Sequence, residues 1–284
     1  MMDMRLNRIA IVSRPDDPKA VDTAIQVLNY LRDNGLEAIP ERALAQKAGL
    51  GDGREARDLH CDAIITVGGD GTVLRTCMSM PDPETPILAV NMGRRGYLTE
   101  VGPSQALEAV EKLLRGEYYI EEHSKISVFL DGAHLADGLN EALIVSSSPS
   151  KTLEIQLSLG GLELLTIRGD GLIVSTPTGS TAHAFSAGGP VLHTGLNAFN
   201  IVFLSPLDPI RSLIMPDGNA LNVKLLRGLG AILSIDGCME EKIDIKSTIT
   251  VGRSKKSAKF IRFKENFTIR SLRRLSKGGI EEES

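Results

Sequence analysis

Two different hydrophobic periodicities divide this chain of 284 residues. In the first part, short apolar runs alternate with segments in which apolar positions recur about every three to four residues. The runs Arg8–Ser13, Asp62–Val67 and Pro86–Val90 predict buried strands. The spacing of apolar residues over Ala20–Leu31 predicts a helix that ends at Gly35. Strands that alternate with helices are typical of an α/β domain with a parallel sheet.

The second part of the chain alternates apolar and polar residues with a period of two. Ile126–Leu130 runs into Asp131-Gly132, a pair typical of a hairpin turn, and Leu153–Leu159 is followed by Gly160-Gly161. Further strand-like runs are Leu162–Leu164, Leu172–Ser175, Ile201–Ser205, Ala231–Ile235, Ile249–Val251 and Phe260–Phe263. This half is therefore predicted to be rich in β-strands and poor in helices.

The change of periodicity sets the predicted domain boundaries. Residues 1–117 form the α/β domain, in which Pro103 opens a last helix, and residues 118–265 form the β-rich domain. Residues 266–284 are a C-terminal segment with a polar, frayed tail. A basic stretch before this tail is interpreted as a solvated strand face, and its members are Arg253, Lys255, Lys256, Lys259, Arg262 and Lys264.

Composition narrows the class of protein. Hydrophobic residues make up 42% and charged residues 24%, which is typical of a globular protein with a packed core. The formal net charge of −4 gives no overall attraction to nucleic acid or to an anionic membrane. The N-terminus lacks a secretory signal, and the three cysteines form no CxxC motif and are interpreted as small buried hydrophobes. We expect a cytoplasmic protein with no nucleic-acid partner and no membrane partner.

The strongest local motif is Gly68-Gly69-Asp70-Gly71-Thr72, which directly follows a predicted strand. Three glycines let the backbone approach a phosphate chain, and a following helix adds its N-terminal dipole. The motif is neither a Walker A loop nor the GxGxxG of dehydrogenases. A carboxylate beside phosphates is unfavourable unless it holds Mg²⁺ or accepts a proton from an attacking hydroxyl. The loop indicates a kinase that acts on an alcohol, and lipid kinases and phosphofructokinases share it.

Two further segments are typical of a binding site for a polar ligand. The run Asp170–Pro190 is long, small and rich in hydroxyls that can hydrogen-bond a ligand, whereas a simple linker would be shorter. Asn140-Glu141 interrupts an apolar strand, where an unpaired acid would be costly. The alternative is that Glu141 points outward from an edge strand.

Together these motifs resemble the NAD kinase family. The matching segments keep the family order and span nearly the whole chain: Gly68–Thr72, Asn91–Thr99, Asn140-Glu141, Asp170–Pro190 and Ser234–Gly237. The resemblance implies an α/β N-terminal domain and a β-sandwich-like C-terminal domain, with residues 266–284 returning to the first domain. It implies phosphorylation of the adenosine-ribose 2′-hydroxyl of NAD by ATP and Mg²⁺, or another divalent cation, to make NADP. NAD would lie between the domains of a homodimer or homotetramer.

The resemblance also assigns roles to positions of this sequence. Asp70 matches the proton acceptor, and the phosphate loop comprises Gly68, Gly69, Gly71 and Thr72. No residue is assigned to a metal. The positions that match NAD contacts are Asp70, Gly71, Arg75, Asn140, Glu141, Lys151, Arg168, Asp170, Thr178, Thr181, Ala182, His183, Ala184, Phe185 and Ser186. For Arg75 a solvated helix face is an equal alternative.

Two positions depart from the family pattern. His183 stands where the family usually has Tyr, which alters the strength of stacking on adenine, and Cys238 stands where many relatives have Gln. Arg94-Arg95 either approach the ATP phosphates or face solvent. A lipid or sphingoid-base kinase and a non-catalytic NAD(P)-binding sensor are the alternative functions, and polyphosphate as donor and NADH as acceptor stay open.

Overall fold

The computed structural model describes residues 6–93, 96–265 and 269. The chain divides into two compact units, one formed by residues up to Glu122 and from Ala258 onward, the other by His123–Ser257. The predicted return of residues 266–284 and the alternatives for Arg94-Arg95 lie outside the described residues.

The first unit is built on a parallel sheet. Its strands are β1 (Arg8–Ser13), β2 (Glu37–Pro40), β3 (Ala63–Gly68) and β4 (Ile87–Asn91), in the spatial order β2-β1-β3-β4. All six residues of β3 are buried, as expected for a parallel strand covered on both faces. The strands predicted from the three apolar runs are confirmed as β1, β3 and β4. The short strand β2, which ends at Pro40, had not been predicted.

Four helices accompany these strands, and they are α1 (Pro18–Asp33), α2 (Arg42–Ala48), α3 (Asp70–Ser79) and α4 (Ala106–Leu114). The carboxylate of Asp17 caps α1 by accepting the N–H of Lys19 at 3.0 Å, and Gly35 follows the helix with φ of 79°. A single 3₁₀ turn that begins at Pro103 runs into α4, and Gly116 with φ of 72° closes it. Gly35 had been predicted to end the first helix and Pro103 to open the last, and both lie where the structure uses them, whereas the Asp17 cap had not been predicted.

The core of the first unit lies between the parallel sheet and the apolar faces of α1 and α4. Leu28 and Leu31 of α1 and Val110 and Leu113 of α4 are at most 1% exposed, and they pack in one cluster with Ile65 of β3. Burial of each such side chain contributes about 1.5–3 kcal/mol relative to exposure. This cluster fixes the strand from whose end the glycine loop leaves the sheet.

The second unit consists mostly of antiparallel strands, and its β-rich character is confirmed. Its elements are β5 (Tyr119–Leu130), β6 (Ala133–Gly138), β7 (Glu141–Ser146), β8 (Leu153–Leu159), β9 (Leu162–Gly169), β10 (Gly171–Ser175), α5 (His183–Ser186), β11 (Ala198–Leu204), β12 (Leu213–Pro216), β13 (Leu221–Arg227), β14 (Ala231–Ile235), β15 (Met239–Ile243) and β16 (Thr248–Arg262). The first residues of β5 and the last residues of β16 belong to the first unit.

Two sets of strands form the second unit. One is a six-stranded sheet of order β12-β11-β10-β7-β14-β15, in which every neighbouring pair is antiparallel. The other contains β16, β13, β8 and β9 in that order, with the β5–β6 hairpin paired through β5 to β16. In the first set β7 lies between β10 and β14, so Glu141 does not lie on an edge strand.

Three hairpins of this unit turn through two consecutive residues with positive φ. The values are 48° and 85° at Asp131-Gly132, 58° and 85° at Gly160-Gly161, and 51° and 64° at Asp236-Gly237. Two positive φ values are typical of the tight turn whose twist matches that of paired strands. The first two turns had been predicted, and the third joins β14 to β15.

Strand β16 differs from its prediction in two ways. The runs Ile249–Val251 and Phe260–Phe263 had been predicted as separate strands, but one strand of 15 residues includes the first run and the second as far as Arg262. The basic stretch had been interpreted as a solvated face, but Arg262 is 0% exposed. Its guanidinium is buried because Glu100 and Glu121 offer it carboxylates.

Candidate active site

The glycine loop joins the end of β3 to the start of α3. Gly69 is the N-cap of α3, and Asp70 is its first residue. A Cβ on Gly68 would lie 2.3 Å from Oγ1 of Thr72, so the chain packs too closely there for a side chain. At Gly69 and Gly71 no described heavy atom lies within 4 Å of the Cβ position. The loop is therefore tightly packed at Gly68 and open at Gly69 and Gly71, where the phosphate chain of a ligand can approach the protein backbone.

The Asp70 carboxylate is oriented by two backbone donors. Its Oδ2 accepts the N–H of Tyr97 at 2.9 Å, and its Oδ1 accepts the N–H of Leu98 at 2.9 Å. Hydrogen bonds to an ionised acceptor are stronger than neutral ones, and they fix the direction of both oxygens. Each carboxylate oxygen has two lone pairs, so the geometry leaves room for a further donor such as a hydroxyl.

A cavity of about 340 Å³ opens beside the loop. Its lining residues are Arg14, Pro15, Asp16, Gly69, Gly71, Thr72 and Arg75. Nη2 of Arg75 donates to the carbonyl of Ser13 at 3.2 Å and lies 3.5 Å from Oε2 of Glu41. The Arg75 side chain is 41% exposed, so it is anchored at the cavity wall and still faces solvent.

Sequence reasoning missed Arg14 as a member of this cavity. Arg14 follows β1 directly, and β1 pairs with β3 in a parallel register. Because the carboxyl ends of neighbouring parallel strands meet at one edge of the sheet, this position could have been expected near the glycine loop. Its guanidinium now pairs with the exposed carboxylate of Asp16 at 2.8 Å.

In the second unit, Asp236 positions the Asn140-Glu141 motif. Its Oδ2 accepts the N–H of Leu139 at 2.6 Å, and its Oδ1 accepts those of Asn140 and Glu141 at 2.8 and 2.9 Å. The Ser234–Gly237 segment had been noted only for its resemblance, without a role. Its turn with positive φ brings one buried carboxylate onto three successive N–H groups, which fixes the start of β7.

Glu141 is a buried acid at the first position of β7 rather than an interruption of the strand. It is 8% exposed, and its Oε2 has no hydrogen-bond partner among the described residues. Burial raises the pKa of its carboxyl to about 8, and the nearby Asp236 carboxylate adds to the rise, while the N–H of His183 opposes it. Burial also raises the pKa of Asp236, against the three N–H donors. Glu141 therefore presents an unsatisfied polar atom in a site that a ligand could fill.

The segment after β10 packs directly against this motif. The hydroxyl of Thr176 donates to the Leu139 carbonyl at 2.6 Å, and the N–H of Thr176 donates to the Asn140 carbonyl at 2.9 Å. A Cβ on Gly179 would lie 2.1 Å from that same carbonyl oxygen, so only glycine fits. A 3₁₀ turn and α5 then follow in succession.

The other positions that match NAD contacts also belong to the second unit, and their side chains differ in exposure. Lys151, Arg168, His183, Phe185 and Ser186 are exposed, and Asp170, Thr181 and Ala182 are half-buried. Thr178 and Ala184 are buried, the first with its hydroxyl 2.9 Å from Nδ1 of His123 and the second packed on Ile173 and Val202. Ala184 is 0% exposed as a whole residue, so neither its side chain nor its backbone is open to a ligand in this conformation. Of the three cysteines interpreted as buried, Cys77 is buried, Cys61 is half-buried, and Cys238, in the turn between β14 and β15, is exposed.

Among residues 6–93, 96–265 and 269 no group of three or more His, Cys, Asp or Glu side chains is arranged to hold a metal ion. Within the same ranges no helix combines the length and apolarity needed to cross a bilayer.

A glycine loop with an oriented carboxylate, beside a cavity that carries two arginines, defines a phosphoryl-transfer type of site. Models of two protein families match the chain: the ATP-NAD kinase N-terminal domain over residues 9–118, and the ATP-NAD kinase C-terminal domain over residues 139–263. The chain belongs to the NAD kinase family.

Relatives match over most of their length. The NAD kinase of Methanothermobacter thermautotrophicus is 38% identical over 278 residues, covering 96% of this chain and 98% of the relative. That of Thermococcus sibiricus is 36% identical over 262 residues, covering 91% and 95%. The two domains of this family account for the α/β and β-rich units described above.

Two solved structures have the same fold. An Archaeoglobus fulgidus NAD kinase in complex with ATP has a TM-score of 0.76 at 27% identity, covering 93% of this chain and 96% of that chain. A yeast NADH kinase complexed with NADH has a TM-score of 0.90 at 19% identity, covering 100% and 92%. Because the yeast protein is 19% identical to this chain, this second match is evidence for the fold alone.

Proposed function

We propose that this chain is an NAD kinase in which Asp70 is the general base. The observation that carries this proposal is the Asp70 carboxylate, which two N–H groups hold at the start of α3 beside an arginine-bearing cavity. A carboxylate at such a place has little use in binding phosphates, because like charges repel. It is useful for removing the proton of an attacking hydroxyl.

The cavity beside the loop is the proposed place for the donor phosphates of ATP. The two open glycines, Gly69 and Gly71, leave space for a phosphate chain, and the N-terminus of α3 favours negative charge. Arg14 and Arg75 supply two guanidinium groups, which can bind phosphate oxygens through paired hydrogen bonds. The exposed pair of Arg14 with Asp16 is weak enough for a triphosphate to replace.

Asn140 and Glu141 are the proposed ligands of the adenosine ribose. The unpartnered Oε2 of Glu141 can accept a hydrogen bond from a ribose hydroxyl. That bond would stabilise the carboxylate form, which burial disfavours in the free protein. The hydroxyls and small residues of Thr178–Ser186 would line the adenine end, where His183 takes the place of a tyrosine ring.

The proposed step is an in-line displacement at the γ-phosphorus of ATP. The ribose 2′-oxygen forms a bond to the γ-phosphorus while the bond from that phosphorus to the β,γ-bridging oxygen breaks. Asp70 takes the 2′-hydroxyl proton, and ADP leaves with the electron pair of the broken bond. We propose that Mg²⁺, or another divalent cation, enters with ATP as part of the donor substrate and offsets charge on its phosphates.

Assembly and location complete the proposal. We propose a homodimer or homotetramer, which is supported by exposed apolar side chains such as Leu162, Leu207 and Leu229 of the second unit, at 75%, 61% and 68% exposure. Light scattering of the purified protein measures its mass directly. We also propose a cytoplasmic location, in keeping with three cysteines that form no disulfide.

The test is the formation of NADP from NAD, ATP and Mg²⁺, read by an NADP-specific dehydrogenase. We expect turnover with NAD and none with lipid or sphingoid-base vesicles. Tight NADP binding without turnover would favour a sensor, and lipid phosphorylation would favour the lipid-kinase alternative. Parallel assays with polyphosphate and with NADH identify the preferred donor and acceptor.

A further inference from the structure

Arg262 is a fully buried cation at the end of β16. Its side chain is 0% exposed, and its Nε donates to Oε2 of Glu121 at 2.8 Å. Its Nη1 lies 3.4 Å from Oε2 of Glu100, whose side chain is 2% exposed. In this group Arg262 and Glu100 are buried and Glu121 is partly buried. A buried ion pair gains little stability over apolar residues of the same volume, so stability alone does not account for the buried guanidinium.

A second bond of Arg262 leads to the glycine loop. The same Nη1 donates to the carbonyl of Leu98 at 3.0 Å. The N–H of Leu98 in turn donates to Oδ1 of Asp70. Leu98 is therefore held on one side by the guanidinium and gives its N–H to the proposed base on the other.

The segment around Leu98 is tied to the end of β16 at one more point. Oε1 of Glu100 accepts the N–H of Phe263 at 3.1 Å. The guanidinium carbon of Arg262 also lies 4.7 Å from the centre of the Phe260 ring, which limits its movement. All these contacts lie within the first unit, and they link Asp70 through Leu98 and Arg262 to the carboxylates of Glu100 and Glu121.

We infer that Arg262 is a positioning residue for the proposed general base, acting through Leu98. This inference rests on the proposed function. The planar guanidinium donates in several fixed directions at once, to the Glu121 carboxylate and to the Leu98 carbonyl. A lysine ammonium is a compact charge and does not reproduce this fork.

Two variants distinguish an effect on the position of Asp70 from an effect on folding. Arg262→Met removes the donor but leaves the buried Glu100 and the partly buried Glu121 without their cation, so it can fail to fold. The triple variant Glu100→Gln, Glu121→Gln, Arg262→Met removes the unpaired charge and still lacks the donor to Leu98. Lys259→Met is the matched control, because Lys259 lies on the same strand and pairs only at 3.9 Å with Glu84.

The measurement is steady-state kinetics of NADP formation on protein whose folded fraction is known from thermal unfolding. We expect the folded Arg262 variants to lose about 10- to 100-fold in kcat, while KM for NAD and ATP changes less than about threefold. Arg262→Lys should recover only part of this loss. The acidic limb of the kcat profile should move to higher pH, because a carboxylate that loses an N–H donor takes up a proton more readily.

A double-mutant cycle with Asp70→Asn gives the decisive comparison. If Arg262 acts through Asp70, its removal should not further lower the residual turnover of Asp70→Asn. A loss by the same factor in both backgrounds, or a wild-type kcat in the folded triple variant, would overturn the inference. Failure of the proposed function would look different, since wild-type protein would then form no NADP or Asp70→Asn would keep full turnover.

Discussion

Two acids, Asp70 and Glu141, each stand at the first position of a regular element, and their surroundings are opposite. Asp70 begins α3 beside an open cavity, and a backbone N–H points at each of its oxygens. Glu141 begins β7 at 8% exposure, with one oxygen that has no partner among the described residues. The backbone orients the Asp70 carboxylate without a ligand, whereas the Glu141 carboxylate has an oxygen that a ligand hydroxyl could satisfy.

The two environments suit the two acids to different functions, proton transfer and ligand binding. An acid that its own backbone orients is prepared for proton transfer, since little reorganisation is needed when substrate arrives. An acid that burial keeps protonated in the free protein gains most when a ligand hydroxyl reaches it. We therefore assign chemistry to Asp70 and recognition to Glu141, and four predictions test this division.

The largest effect is expected from Asp70→Asn. An amide cannot act as the base, so kcat should fall about 10²–10⁴-fold while KM for NAD changes little. Steady-state NADP formation measures both constants. Glu108→Gln is the control, because Glu108 is an exposed acid in the first turn of α4, and it should leave kcat unchanged. A near-normal kcat in Asp70→Asn would remove the distinction between the two acids.

The second-largest effect is expected from Asp236→Asn, which should weaken the binding of NAD more than it slows the chemical step. An amide accepts with only one of its two terminal atoms, so at least one of the three N–H bonds at Leu139, Asn140 and Glu141 is lost. We expect a loss of roughly 2–3 kcal/mol in unfolding free energy and a rise in KM for NAD that exceeds the change in kcat.

Asp131→Asn is a close control for Asp236→Asn. Asp131 also lies in a turn with positive φ and accepts one backbone N–H, that of Thr248 at 2.8 Å, but it is exposed. Its replacement should cost under about 1 kcal/mol. Equal losses in the two variants would mean that Asp236 has no special role in holding the motif.

Glu141→Gln should show its effect in the pH dependence of stability. The folded-state pKa of about 8 lies above the ordinary value of 4.5, so the unfolded chain ionises first as pH rises. Native stability is therefore lost progressively between about pH 4.5 and 8, and the glutamine variant escapes this loss.

Urea unfolding at several pH values measures this difference. Between pH 6 and 7.5 the stability of Glu141→Gln relative to wild type should grow by about 2 kcal/mol. A difference that stays constant over this interval would mean that Glu141 is already ionised, like Asp70, and the contrast between the two acids would be lost.

The smallest effect is expected from Gly69→Ala. The Cβ position is open toward the cavity, and φ of −108° suits any residue, so folding should lose at most about 1 kcal/mol. KM for ATP should rise roughly fivefold, with KM for NAD unchanged. Gly102→Ala tests the same change at another open N-cap glycine, and there neither KM should move. A rise only in KM for NAD would place the acceptor at the loop.

Local signals in the sequence were sufficient for much of the fold. The apolar runs Arg8–Ser13 and Ala231–Ile235 coincide with β1 and β14, because burial and period fix such strands locally. Strand β13 alternates Leu, Val and Leu and was overlooked, although its signal was present. Strand β15 had not been predicted either. It carries Glu-Glu-Lys at the edge of its sheet, where most of its residues are exposed, so its sequence has no hydrophobic pattern.

The site was predictable only where side chains carry the signal. The glycines and Asp70 could be recognised as a phosphate loop from their types and order. The N–H groups of Tyr97 and Leu98 could not, because every residue except proline has one and they lie 27 and 28 residues from Asp70. Arg262 likewise looked like one more surface cation, since its acids lie more than 140 positions earlier in the chain.

The last residues of β16 belong to the first unit, and this has a consequence for protein synthesis. Residues up to Glu122 leave the ribosome on the order of ten seconds before Ala258, at ordinary elongation rates. Until then β4 lacks the neighbour that Phe260 provides beside Ile87, and Glu100 lacks the guanidinium of Arg262. A nascent chain thus carries the glycine loop early, whereas the contacts that Arg262 makes with Leu98 and Glu100 form only after more than a hundred further residues have been added.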